Sequence, residues 1–286
     1  MLSQSEVIKL FKEHNIRVKK RFGQNFLIDK NINKIILEEI NLNKRDIVIE
    51  IGAGFGGLAC LMAETADRVF AVELDRKLAG ILREKLSAFS NAKVIEGDFL
   101  EFDLKKTVCG SFNKKIKVIG NLPYYISSPV VFRLIEYKAI IKTALIMTQK
   151  EVARRFVACP GGKERGILSC LLSYYGKSRI VKYVNKNSFF PRPKVDSALV
   201  RIDFFTQPPF KVSNEDLFKK VVKGAFSKRR KNILNSLSSC SGLELNKPEL
   251  SSILEELKID FRTRAEQLKA EELAEIANLI VKKSIS

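Results

Sequence analysis

Five short β-rich runs recur along the first half of the chain: DIVIEI (46–51), RVFAVEL (68–74), KVIEGD (93–98), KVIGNL (117–122) and TALIMTQ (143–149). Helix-length segments separate them. Strands buried on both faces read as near-continuous apolar runs, and neighbouring parallel strands need a long crossover, usually a helix. The alternation therefore predicts β-α-β units, a mostly parallel sheet and the α/β class. Two later runs, RIVKYVN (179–185) and SALVRIDFF (197–205), have no helix between them and are expected to form an antiparallel pair at one end of the sheet. Apolar spacing predicts helices over 5–13 and 30–40, the second with Asp29 as its N-cap. The paired prolines of QPPF (207–210) stop regular structure. Beyond them every periodic segment is helical, so the division expected is 1–206, an α/β domain, and 207–286, a small helical domain.

Charge narrows the choice of partner. Among 286 residues, 51 Lys and Arg face 32 Asp and Glu, a formal charge of +19. Residues 1–203 carry +15 of it and residues 204–286 carry +4, so the excess is no basic tail. Such an excess points to a polyanion, nucleic acid or an acidic membrane surface. The densest run, Lys228-Arg229-Arg230-Lys231, follows Phe226 just past the prolines. It is read as a basic helix whose cations contact a nucleic-acid backbone. No apolar run approaches the ~18–20 residues needed to span a bilayer, and no secretory signal is visible, so a cytoplasmic protein without a membrane partner is expected.

Scarce residue types exclude chemistries. His14 is the only histidine, and the five cysteines form no C-x-x-C pair. A histidine general base, a Ser-His-Asp triad or a His-rich zinc site would all have to use His14. No metal and no nucleophilic catalysis are expected.

EIGAGFGG (50–57) lies between the first β-rich run and a helix-length segment. Glycines here allow a tight turn and close approach of a ligand to a helix N-terminus. Gly52, Gly54 and Gly57 also satisfy the G-x-G-x-x-G pattern, so the loop alone does not separate a dinucleotide from an adenosyl cofactor. Glu73, near the end of the second run, can accept from ribose hydroxyls, which suits either. Asp98 ends the third, where a carboxylate can accept from an adenine amine. Asn121-Leu122-Pro123-Tyr124 closes the fourth. Acid, acid and N-L-P-Y at successive strand ends form the pattern of S-adenosylmethionine-dependent methyltransferases acting on amino groups. A dehydrogenase is disfavoured further by the missing histidines.

The exocyclic amine of adenine is a poor nucleophile because its lone pair is delocalised into the ring. Two acceptors on that amine, the Asn121 side-chain oxygen and the Leu122 carbonyl, favour the pyramidal form that can attack a methyl group. Pro123 fixes the backbone and has no competing N–H. Tyr124 stacks on the base. No general base is required, since methylation itself makes the amine acidic.

KKRFGQNFL, EIGAGFGGL, VELD, GDF, GNLPYYISSP, QKEVARR, SFFPRPKVDSALV and AFSKRRKNILNSL occur in this order along nearly the whole chain. In this the sequence resembles the KsgA family of ribosomal RNA adenine dimethyltransferases. The resemblance implies a Rossmann-like S-adenosylmethionine-dependent methyltransferase domain followed by a small all-helical domain. It also implies dimethylation of two adjacent adenines near the 3′ end of 16S rRNA, in the small ribosomal subunit or its assembly intermediate; a monomer is expected. By the same resemblance Asn25, Leu27, Gly52, Glu73, Asp98 and Asn121 contact the cofactor, with Gly54 in the same loop. Phe189, the first aromatic of SFFPRPKVDS, becomes the second stacking face for the target adenine. Tyr125 stands where bacterial relatives usually have Asn. The related macrolide-resistance family, which methylates a 23S rRNA adenine, shares the NLPY-like motif; AFSKRRKNILNSL with LKIDFRTRAEQL (257–268) favours the small-subunit enzymes. A non-catalytic RNA-binding assembly factor is the other alternative, and intact Glu73, Asp98 and Asn121 argue against it. A DNA adenine methyltransferase would need a target-recognition domain for which the helical segment leaves little room.

Overall fold

The computed structural model describes residues 2–18, 23–108, 115–228, 230–243 and 245–285. In chain order its first elements are α1 (Gln4–Glu13), β1 (Phe26–Leu27), α2 (Lys30–Ile40), β2 (Ile47–Ile51), α3 (Gly57–Thr65), β3 (Arg68–Glu73), α4 (Arg76–Leu86) and β4 (Ala92–Glu96). Then come α5 (Leu104–Thr107), β5 (Ile116–Asn121), α6 (Ser127–Glu136), β6 (Ile141–Gln149), α7 (Lys150–Phe156), α8 (Ile167–Tyr175), β7 (Gly176–Val184), β8 (Phe189–Phe190) and β9 (Ser197–Phe204). Four helices follow: α9 (Glu215–Ala225), α10 (Ile233–Leu237), α11 (Lys247–Glu256) and α12 (Ala270–Ile285). No helix among the described residues is long and apolar enough to cross a membrane.

The main sheet has the order β4-β3-β2-β5-β6-β9-β7. β2 pairs in parallel with β3 and β5, β3 with β4, and β5 with β6, while β9 runs antiparallel to β6. The expected α/β sheet is therefore present, and β7 and β9 are neighbours at its end. β2 is buried at all five positions, as a central strand covered on both faces must be. Lys117, on β5, is buried because Asp46 at 2.9 Å and the Asn41 carbonyl at 2.6 Å both receive its ammonium. A second, two-stranded sheet joins β1 to β8 with Phe26 opposite Phe190 and Leu27 opposite Phe189. Phe26 is locked from behind: its ring lies 5.6 Å from that of Phe11, on α1, and 4.8 Å from that of Phe55.

The chain divides into two compact units, Met1–Ala153 with Ser178–Phe204, and Arg154–Lys177 with Phe205–Ser286. The division expected at residues 206 and 207 therefore assigns 154–177 to the wrong unit. α8 is the reason. Its sequence, ILSCLLSYY, is buried at seven of nine positions, and it packs against α9 and α12. The prolines are followed by Phe210, whose ring lies 5.0 Å from that of Tyr174 on α8. Tyr174 in turn contacts Phe218 of α9 at 5.1 Å.

Candidate active site

From β2 the chain proceeds through β3 to β4 on one side of the sheet and later takes up β5 and β6 on the other. The order reverses between β2 and β5, and such reversals leave a crevice at the carboxyl ends of the strands. A cavity of about 160 Å³ occupies that place. Asn25, Leu27, Gly52, Gly54, Glu73, Asp98 and Asn121 all line it. Leu122, Tyr124 and Phe189 do not.

The glycine loop turns through left-handed backbone at Gly52, Gly54 and Gly56, with φ of +71°, +55° and +74°. Gly54 shows why a side chain is excluded: a Cβ there would meet the Phe26 ring at 3.1 Å. Its N–H donates to Glu73 Oε2 at 2.8 Å, and the Asp75 N–H donates to Oε1 at 2.9 Å. Both oxygens of the buried Glu73 are thus anchored by backbone, which aims the carboxylate along the loop. Burial pushes its pKa up, and the two N–H groups oppose that rise.

Glu50, unassigned by the sequence analysis, lines the same cavity. Its buried Oε2 has no hydrogen-bond partner among the described residues. Burial, and next the like charge of Glu73, push its pKa up to about 8. The signal available was an acid inside an otherwise apolar strand, directly before the glycine loop. Asp98 is half-buried just past β4, with Oδ1 accepting from the Leu100 N–H at 2.9 Å.

Asn121 ends β5. Its Nδ2 donates to the Asn25 carbonyl at 2.8 Å, and the Asn25 amide donates to the Gly23 carbonyl at 3.0 Å. One of the two N–H donors of the Asn121 amide is thereby taken, which orients the amide and leaves its oxygen free to meet a ligand. Leu122 is buried, its N–H bound to the Met147 carbonyl at 3.1 Å. Residues Tyr124–Ile126 form one 3-10 turn, closed by the Ile126 N–H on the Pro123 carbonyl at 3.1 Å. Tyr124 is half-buried with its hydroxyl 3.2 Å from Ser197 Oγ; Tyr125 points to the cavity rim.

Two expectations need correction. Phe189 is only 3% exposed and packs in the core cluster with Met147, Val184 and Leu199, because its pairing in β8 turns it inward. It presents no open face for a base. The described members of the basic run, Lys228, Arg230 and Lys231, lie between two helices and not within one: α9 ends at Ala225, where the Ser227 hydroxyl donates to the Gly224 carbonyl, and Asn232 N-caps α10 by accepting from the Asn235 N–H at 2.9 Å. Lys228, Arg230 and Lys231 are exposed there, and Arg229 lies outside the described residues.

Comparison with known proteins follows the same lines. A family model described as ribosomal RNA adenine dimethylase matches residues 15–282. The ribosomal RNA small subunit methyltransferase A of Alkaliphilus oremlandii is 42% identical over 282 residues, covering 98% of each chain. That of Clostridioides difficile is 38% identical over 279 residues, covering 97% of this chain and 96% of its own. Among solved structures, a dimethyladenosine transferase from Plasmodium falciparum is similar with a TM-score of 0.76 at 26% identity, covering 91% of this chain and 98% of that one. The 23S rRNA methyltransferase ErmE gives 0.69 at 26% identity, covering 90% of this chain and 99% of its own. With a family model spanning the glycine loop, Glu73, Asp98 and Asn121, and near full-length relatives at this identity, the chain belongs to the ribosomal RNA adenine dimethylase family.

Proposed function

We propose that this chain transfers methyl groups from S-adenosylmethionine to the exocyclic amines of two adjacent adenines near the 3′ end of 16S rRNA. It acts as a cytoplasmic monomer on the small ribosomal subunit or its assembly intermediate. The observation that carries this reading is the convergence of Glu73, Asp98 and Asn121 on one cavity at the strand-order reversal.

The residues present fit the cofactor. Its ribose hydroxyls and adenine amine are donors, and Glu73 and Asp98 bring carboxylate oxygens to the cavity wall. Glu50 adds a buried carboxyl to that wall, its Oε2 without a hydrogen-bond partner among the described residues. Glu73 would accept from the ribose and Asp98 from the adenine amine, with Asn25, Leu27, Gly52 and Gly54 forming the rest of the wall. Bound there, the cofactor supplies a methyl group on a positively charged sulfur.

The chain's own residues do the rest. Asn121 Oδ1 accepts from the target amine because its Nδ2 is held by Asn25. The Leu122 carbonyl is the second acceptor, its own N–H being fixed on Met147. Together they draw the amine toward the pyramidal form with its lone pair exposed. Tyr124, tethered through Ser197, holds a fixed ring for stacking on the adenine, a contact worth about 1–3 kcal/mol. Alignment of amine and methyl group supplies most of the acceleration. The amine's proton passes to water after transfer. Exposed Lys228, Arg230 and Lys231 hold rRNA phosphates.

The test is to offer labelled S-adenosylmethionine with under-methylated small subunits and, separately, large subunits. Label in the small subunit alone is expected. Label in the large subunit alone would favour an activity of the ErmE type.

A further inference from the structure

Tyr125 is 60% exposed, more than any other large hydrophobic residue described, although it lines the cavity that holds Asn121. It shares a 3-10 turn with Tyr124, but the two rings have opposite surroundings. The Tyr124 hydroxyl is drawn to Ser197, whereas Tyr125 stands at the rim. The side of the rim it stands against is closely packed. Gly23 adopts φ +57°, and a Cβ there would lie 3.1 Å from Pro123 Cβ and 3.8 Å from Tyr125 Cε1. The absence of a side chain at Gly23 lets backbone close against Pro123 and support the ring. An aromatic surface of this size left open beside a reaction centre is suited to a flat apolar ligand.

We propose that Tyr125 stacks on the nucleobase adjoining the adenine that enters the cavity. A base drawn out of an RNA stack uncovers one face of its neighbour, and an aromatic ring replaces the lost contact whatever the base. The partner is chemically a purine or pyrimidine ring in single-stranded RNA, and a purine stacks best. The proposal rests on the reading above that two adjacent adenines are methylated. Each then serves in turn as target and as neighbour, and Tyr125 holds the one outside the cavity.

The experiment uses the full chain and small subunits reconstituted from 16S transcripts, with either both adenines intact or one replaced by uridine, a weaker stacker. Wild-type protein should lose about three- to ten-fold in kcat/KM at the remaining adenine when its neighbour becomes uridine. Y125A should raise KM about ten-fold on intact subunits, with kcat and S-adenosylmethionine affinity within twofold, and should show no further loss on the uridine transcript. Y125F should behave as wild type on both. Additive losses in Y125A would overturn the proposal, as would a Y125A defect in cofactor binding. If the wild-type chain methylates neither transcript, both this proposal and the proposed function fail; additive losses with an active wild type sink this one alone.

Discussion

Replacing Glu73 by Ala should weaken S-adenosylmethionine binding by about 10–150-fold, the equivalent of one lost hydrogen bond to a buried charged group at about 1.5–3 kcal/mol. Glu73 Oε2 and Oε1 already accept from Gly54 and Asp75, so each oxygen keeps one lone pair for a ribose hydroxyl. Truncation also leaves those two N–H groups without acceptors, at about 1–3 kcal/mol each. Relief of a buried charge offsets part of that loss. The variant should therefore remain folded with a lowered melting temperature. Glu73→Gln is the informative companion. Its amide keeps one acceptor but turns an NH2 toward the N–H of Gly54 or Asp75, so it should restore stability and affinity only in part. Titration calorimetry measures the affinity and thermal melting checks the fold. A folded Glu73→Ala variant with cofactor affinity within twofold of wild type would refute the assignment.

Three other outcomes follow from the same geometry. Asn121→Ala should cut single-turnover methyl transfer by about a hundredfold or more while calorimetric cofactor affinity falls far less, because the amide oxygen acts chiefly on the target amine in the transition state; a near wild-type rate would contradict that role. Glu50, with its folded pKa raised to about 8, keeps a proton that the unfolded chain releases near the usual carboxylate value, so its contribution to stability should decline as pH rises between those two values, by up to about 1.4 kcal/mol per pH unit. Melting curves for Glu50→Gln should then be flatter than wild type over that window, and parallel curves would remove the assignment. Replacing both Lys228 and Arg230 by Ala should make the slope of log affinity for small subunits against log salt shallower by about 1.4–1.8 units, with cofactor affinity unchanged; an unaltered slope would leave these cations a structural role only.

Elements whose signals are local were legible in the sequence. α2 has the bounds its spacing suggests because Asp29 accepts from the Asn31 and Ile32 N–H groups at its start. Glu73, Asp98 and Asn121 could be located because a parallel strand announces itself by its apolar run and each of the three sits at or just past the end of one. What stayed hidden depends on distant partners. β1 and β8 are two residues each, too short for any period, and exist only by pairing with one another. That pairing buries Phe189, which its motif alone presents as a free aromatic. α8 is apolar around most of its surface, so its pattern says that it is buried without saying against what. In the basic run, four charges masked the better signal, Asn232, whose side chain starts a new helix one residue later. Glu50 reads as one polar residue in an apolar strand; only the cavity beside it shows its second oxygen without a partner among the described residues.

The central claim is methyl transfer to a defined pair of adenines, and base-resolved mass spectrometry tests it most directly. Small subunits lacking the modification are incubated with the full-length protein and S-adenosylmethionine, and 16S rRNA is digested into fragments. Two neighbouring N6-dimethylated adenines near the 3′ end, with no other base changed, are the predicted result. Methyl groups on a 23S rRNA adenine instead, or subunit binding with no methyl transferred, would contradict the account.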